Sequence, residues 1–235
     1  MKKKVALITG ASGGIGSCIA RKFAEMGICV IALGRNEEKL AALQQELSED
    51  AFICAGDITN SAFLQQVIEQ TEARFGSLDI LVNCAGVAQS QKFEDITEAD
   101  YDRIMTLNVR APFLLCQKAL PLLRESDCAS IINIASVVAH KGYPLQSVYA
   151  ASKHALAGFT KSLANEVYKD GIRVHLISPG GVLTDMVRTS RPDLKPDGMT
   201  LPEEIADIAA FFIEHRNNAI IDEICVHRDG KEPFA

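Results

Sequence analysis

Along the 235 residues, short runs of Val, Ile and Leu alternate with stretches whose apolar positions recur every three or four residues. "KVALIT", "ICVIAL", "AFICA", "LDILVN", "SIINIA" and "IRVHLI" each predict a strand, and "DEICV" predicts a weaker last one. These runs are continuous rather than alternating, which suits strands buried on both faces of a parallel sheet. The helical period predicts helices over roughly Ile15–Met26, Glu37–Leu47, Ala62–Arg74, Glu98–Leu123, Tyr149–Tyr168 and Pro202–Glu214. Such β-α alternation predicts an α/β fold, a doubly wound parallel sheet of about seven strands with helices on both faces. No linker, repeat or low-complexity block interrupts it, so residues 1–235 read as a single domain. The least regular segment, 185–201, carries Pro192, Pro196 and Gly198. Ligands of open parallel sheets bind beyond the carboxyl ends of the strands, so 185–201 is a candidate substrate-binding loop or lid.

Composition changes this picture mainly by exclusion. A formal net charge of −6 argues against a nucleic-acid partner or an anionic membrane surface. No apolar run approaches a membrane span, and "MKKK" is followed by a segment too short and Gly-rich for a signal sequence. The seven cysteines contain no C-x-x-C pair and most fall in apolar stretches. That usage predicts a reducing, cytoplasmic setting, with neither a disulfide framework nor a metal site. His175, His215 and His227 are too dispersed to suggest metal ligands.

Chemistry enters at the first turn. "LITGASGGIGSCIARKF" runs from a strand through Gly10, Gly14 and Gly16 into a helix. Glycines there permit a sharp turn and close approach of a diphosphate to the free N–H groups of the helix start. After the second strand, "ALGRNEEKL" has Gly34 and Arg35 where an NAD site usually has a carboxylate for the ribose 2′-hydroxyl. Arg35 has a planar fork suited to a 2′-phosphate, which favours NADP(H) over NAD(H). Further along, "SVYAASKHALAG" places Tyr149 and Lys153 one helical turn apart on the same face.

Six motifs appear in order: "TGASGGIG", "NCAG", "LNV", "INIAS", "YAASK" and "PGGVLTD". Together the chain resembles the short-chain dehydrogenase/reductase family over nearly its whole length. The resemblance implies a Rossmann-type fold and a catalytic tetrad of Asn108, Ser136, Tyr149 and Lys153. Tyr149 would be the general acid or base, Ser136 would bind the substrate oxygen, and Asn108 would hold a water linking Lys153 to solvent. A cation about 5 Å from the phenol, at an effective dielectric near 20, would lower its pKa by roughly two units.

By the same resemblance Gly10, Ser12, Gly14, Ile15, Gly16 and Arg35 would hold the diphosphate and adenosine ribose. Asp57 and Ile58 would meet the adenine, with Asn83 and Gly86 beneath the ribose. Pro179, Gly180, Val182 and Thr184 would line the nicotinamide beside Tyr149 and Lys153. The implied function is an NADP(H)-dependent oxidoreductase acting on a small-molecule carbonyl or alcohol, as a homodimer or homotetramer. Ala150, Ala151, Ala155 and Ala157 would permit close helix pairing between subunits. An NAD(H)-dependent dehydrogenase and a non-catalytic dinucleotide sensor are the alternatives. His140, Lys141 and Arg188 are candidate contacts for a polar substrate, and Val138, Tyr143, Val182 and Met186 candidate pocket residues. Cys84 stands where the family more often has Asn, and "CVHRDG" departs from its usual Asp-Gly-Gly ending.

Overall fold

The computed structural model describes residues 3–193 and 195–231. Its centre is one parallel sheet of β1 (Val5–Thr9), β2 (Cys29–Gly34), β3 (Phe52–Ala55), β4 (Ile80–Asn83), β5 (Ser130–Ile134), β6 (Arg173–Pro179) and β7 (Glu223–Val226). The spatial order is β3-β2-β1-β4-β5-β6-β7, with every neighbouring pair parallel. After β3 the chain crosses back to lay β4 against β1 on its free side. That reversal opens a crevice at the carboxyl ends of β1 and β4.

All of β1 is buried, and its alternate residues serve different layers. Ala6 and Ile8 pack with α1 (Gly14–Glu25), α2 (Glu37–Glu46) and α8 (Pro202–Glu214). Val5 and Leu7 pack with α3 (Ser61–Phe75), α5 (Ala111–Arg124) and α6 (Ser147–Val167). Continuous apolar strands therefore encode the two-sided cover, as expected from their pattern.

Two elements differ from the sequence expectation. The helix expected over Glu98–Leu123 is α4 (Glu98–Met105), a π-helical turn at Thr106–Arg110, and α5. Pro112 has no N–H to donate to the Asn108 carbonyl four residues earlier, so the ordinary ladder cannot continue there. The ladder widens instead, with the Ala111 N–H donating to Thr106 O. Within the expected loop 185–201, a short helix α7 spans Asp185–Ser190, capped by Thr184 Oγ1, which accepts from Val187 N at 3.4 Å. The neck of that loop is closed by Leu183 N donating to Thr200 O at 2.9 Å and Thr200 N to Gly181 O at 3.1 Å. Leu194, inside it, lies outside the described residues. Of the alanines expected to face a second subunit, Ala150 and Ala157 are buried within the chain, which leaves Ala151 and Ala155 for such a contact.

Behind the sheet, His175 on β6 is 2% exposed, stacks on Phe212 at 4.2 Å between ring centroids, and donates through Nδ1 to Ile221 O at 2.8 Å. Nε2 has no partner among the described residues. Burial holds the imidazole below its ordinary value of 6.5, because a second proton would sit unsolvated. Stability from the neutral ring is therefore fully present above about pH 6.5 and is lost as pH falls through the lower folded-state value. His175→Phe should flatten the loss of urea stability between pH 8 and pH 5. An unchanged acid slope would refute this role.

Candidate active site

The site begins where β1 ends. Gly10 turns the chain at φ +72°, and a Cβ there would come within 2.9 Å of the Ala85 backbone. At Gly16 a Cβ would lie 2.3 Å from Gly10 O, so only glycine lets α1 close onto the turn. Asn36, Asn60 and Thr97 cap α2, α3 and α4 with their side chains. α1 has neither a side-chain cap nor an acid in its first turn. Its leading N–H groups and positive dipole end are left for an anion. Thr9 Oγ1 accepts from Cys84 N and Ala85 N, both at 3.1 Å, and draws the loop after β4 against this turn.

A cavity of about 360 Å³ runs from that turn across the sheet ends. Of the cofactor residues expected from sequence, Gly10, Ser12, Gly14, Ile15, Gly16, Arg35, Asp57, Ile58 and Gly86 line it. So do Tyr149, Lys153, Pro179, Gly180, Val182 and Thr184, together with Ser136. Arg35 is exposed and engages none of the ion pairs among the described residues, Glu37 and Glu38 included. Ser12 sits over Gly34: a Cβ at 34 would lie 2.6 Å from Ser12 Oγ and 3.0 Å from its Cβ. Asn83 lies in the sheet instead of the cavity wall; its Nδ2 donates to Asn133 Oδ1 at 2.8 Å and ties β4 to β5.

At the opposite end, Ser136 follows β5 and caps a single helical turn, Val137–Ala139. Its hydroxyl also favours the ionised form of the nearby Tyr149 phenol. The chain enters α6 through Leu145, held at φ 66° with its carbonyl accepting from Gln91 N at 2.9 Å. A left-handed leucine is strained, and this bond helps hold the strain beside the tyrosine. Lys153 is 5% exposed, donates from Nζ to Ile134 O at 2.9 Å, and lies 5.9 Å from the Tyr149 ring centroid. Burial lowers the ammonium to about 8 and raises the phenol above its usual 10.

The rise at Tyr149 corrects the expectation that the lysine would dominate. Desolvation of the phenolate outweighs the opposing effect of the Ser136 hydroxyl. The spacing of Tyr149 and Lys153 shows proximity and leaves out the depth at which both sit.

Asn108 is buried on the π turn. Its Oδ1 accepts from Val87 N at 2.9 Å, and Nδ2 donates to Val87 O at 2.9 Å and Ser152 Oγ at 3.0 Å. Its amide is thereby committed to the loop after β4 and to α6, and Pro112, four residues on, offers its backbone carbonyl no N–H. Ser152 then donates to Tyr149 O at 2.7 Å, which links the π turn to α6. Sequence reasoning missed both Ser152 and Thr9; a polar residue between Tyr149 and Lys153 was the available cue for the first.

Of the other candidates, Val182 and Met186 line the cavity, whereas Val138 and Tyr143 are absent from its wall. Arg188 faces Asp185 at 3.6 Å, Lys141 Nζ lies 5.8 Å from the Tyr143 ring centroid, and His140 turns to Glu223 at 2.6 Å. Lys39 on α2 reaches Asp185 on α7 at 3.6 Å, which draws the two sides of the cavity mouth together.

The sequence and the fold match known proteins. Residues 4–195 match the short chain dehydrogenase family. This chain belongs to that family. It is 37% identical over 235 residues to a 3-oxoacyl-acyl-carrier-protein reductase of Rickettsia bellii, covering 97% of this chain and 95% of the relative. A metagenomic short-chain oxidoreductase solved with NADP superposes at TM-score 0.83 with 31% identity, covering 95% of this chain and 96% of that one. The 3-ketoacyl-(acyl-carrier-protein) reductase of Brucella melitensis, solved with NADH, gives 0.87 and 32%, covering 95% of each. As a short-chain dehydrogenase the chain is an oxidoreductase, and its family binds a nicotinamide dinucleotide. The glycine cradle and uncapped α1 fit such a cofactor. No helix among the described residues is long and apolar enough to cross a membrane.

Proposed function

We propose that this short-chain dehydrogenase uses NADP(H) to interconvert a small carbonyl compound and a secondary alcohol. The carrying observation is the convergence of Ser136, Tyr149 and Lys153 in the cavity that begins at the glycine turn. Gly14, Ile15 and Gly16 would hold the diphosphate, Arg35 the 2′-phosphate, and Asp57 and Ile58 the adenine. Pro179, Gly180, Val182 and Thr184 would seat the nicotinamide, which supplies or accepts the hydride when bound. Tyr149 gives its proton to the carbonyl oxygen as charge develops there, and Ser136 steadies that oxygen. Lys153 favours the resulting phenolate, and the Asn108 carbonyl holds the water that returns a proton. Segment 185–201 closes over the substrate. Consumption of NADPH across a panel of carbonyl compounds, with NADH in parallel, tests the reading.

Cofactor choice yields a sharper expectation. A charge-assisted contact to phosphate contributes about 1.5–3 kcal/mol, so NADPH should bind at least tenfold more tightly than NADH. Arg35→Ala should remove most of that margin and leave NADH nearly unchanged. Gly34→Asp alone is obstructed, because the new Cβ meets Ser12. Ser12→Gly with Gly34→Asp removes the two shortest of these contacts and leaves the backbone N of residue 12 at 3.3 Å; it adds a ribose partner and repels a 2′-phosphate, and should reverse the preference. Fluorescence titration with both cofactors at fixed ionic strength measures all four proteins. Equal affinities in the unmodified protein would remove the role of Arg35.

A further inference from the structure

Three side chains outside the cavity wall meet at the edge of the sheet. Glu223 and Cys225 are two positions apart on β7 and project from the same face of that edge strand. His140 reaches them from the loop after Ser136. Its Nε2 lies 2.6 Å from Glu223 Oε1, and Cys225 Sγ lies 3.8 Å from the same oxygen. One donor atom from each residue falls within 4.8 Å of the other two.

We propose that His140, Glu223 and Cys225 form a site for a divalent ion of the Zn²⁺ type, which fastens the Ser136 loop to β7. Imidazole, carboxylate and thiolate together are a zinc-like donor set, whereas Mg²⁺ and Ca²⁺ favour oxygen alone. Bonds of about 2.0–2.3 Å in tetrahedral geometry hold donors roughly 3.3–3.5 Å apart. The His140–Glu223 contact has to open by less than about 1 Å, and the Glu223–Cys225 contact has to close by a few tenths. Ser178, wholly buried, donates to Glu223 Oε1 at 2.9 Å and fixes the carboxylate, as outer partners of metal ligands do.

His140 and Cys225 are exposed, so a fourth position remains open to water. A plain hydrogen-bonded pair of His140 and Glu223 accounts for the 2.6 Å contact and has no need of the thiol. Cys225 therefore separates the two readings.

The test uses reduced protein stripped with chelator and titrated with Co²⁺, then Zn²⁺. The expected results are a thiolate-to-cobalt charge-transfer band saturating at one equivalent and a melting temperature that rises with Zn²⁺ concentration. Cys225→Ser should abolish the band and weaken the Zn²⁺ response at least tenfold, while keeping the metal-free melting temperature. His140→Ala should weaken Zn²⁺ similarly. Cys18→Ser and Cys128→Ser should retain both signals, since those thiols face Glu203 and Asp79 with no imidazole beside them among the described residues. Absence of the band, or its survival in Cys225→Ser, overturns the site.

Discussion

Tyr149→Phe is expected to lower kcat by about 10²–10⁴-fold, or roughly 3–5 kcal/mol of transition-state stabilisation. Phenylalanine keeps the ring on α6, with Lys153 Nζ 5.9 Å from its centroid, so folding and cofactor affinity should survive. Only the hydroxyl is lost, and with it the proton that the carbonyl oxygen needs as it gains charge. Burial holds this phenol in its protonated, donating form, since its pKa lies above 10. The effect should therefore fall on kcat, with the substrate KM changed far less. Ser136→Ala should cost less, because it removes one hydrogen bond and leaves the proton donor in place. Turnover near wild type in Tyr149→Phe would end the assignment of Tyr149 as the acid.

The sheet was legible because strands buried on both faces leave continuous apolar runs. All seven strand segments occur where "KVALIT" through "DEICV" predict them, with edges shifted by only a residue or two. At the cavity, the glycine turn, Arg35 and the Tyr149–Lys153 spacing were legible from the residues themselves, whereas Ser136, Asp57, Gly86 and the stretch 179–184 were legible only through the resemblance carried by the six motifs. The π turn at Asn108 was hidden, because one extra residue per turn hardly disturbs a helical period; Pro112 was the only local cue.

Contacts between distant segments left less trace. Ser12 over Gly34 joins two βα turns, and His140 meets Glu223 across 83 positions, so neither shows as a local spacing. Asn83 reads as a pocket residue from its motif, yet its register opposite Asn133 turns the amide into a tie between strands. The sign of the Tyr149 shift was hidden as well. A charge four residues away can be counted from sequence, whereas the desolvation of both groups depends on layers contributed by β5, the π turn and the loop after β4.

That desolvation makes Lys153 a second test, with activity and stability moving in opposite directions. Its ammonium is lowered from 10.5 to about 8, which means the folded state disfavours the charged form. The sign follows from linkage. The stability associated with neutral Lys153 is fully present above the unfolded value of about 10.5, and is lost as pH falls through about 8. At pH 7 the loss amounts to roughly 3 kcal/mol, at about 1.4 kcal/mol per pKa unit. Lys153→Met should recover part of it. Methionine fills similar space without charge, but it orphans the Ile134 carbonyl that Lys153 now satisfies, at a cost of about 1–2 kcal/mol. The net gain near neutrality should be about 1–2 kcal/mol, a few degrees in melting temperature for a chain this long. The advantage should shrink as pH rises from 8 to 10.5, where the unmodified lysine becomes neutral in the folded protein. At pH 7, where the unmodified lysine is charged, the variant should have little or no turnover, because the phenolate formed at Tyr149 loses its cation. Thermal melts and initial rates collected across that pH series measure both. A variant less stable than the parent at pH 7 would show that the buried ammonium supports the fold, contrary to the direction of its shift.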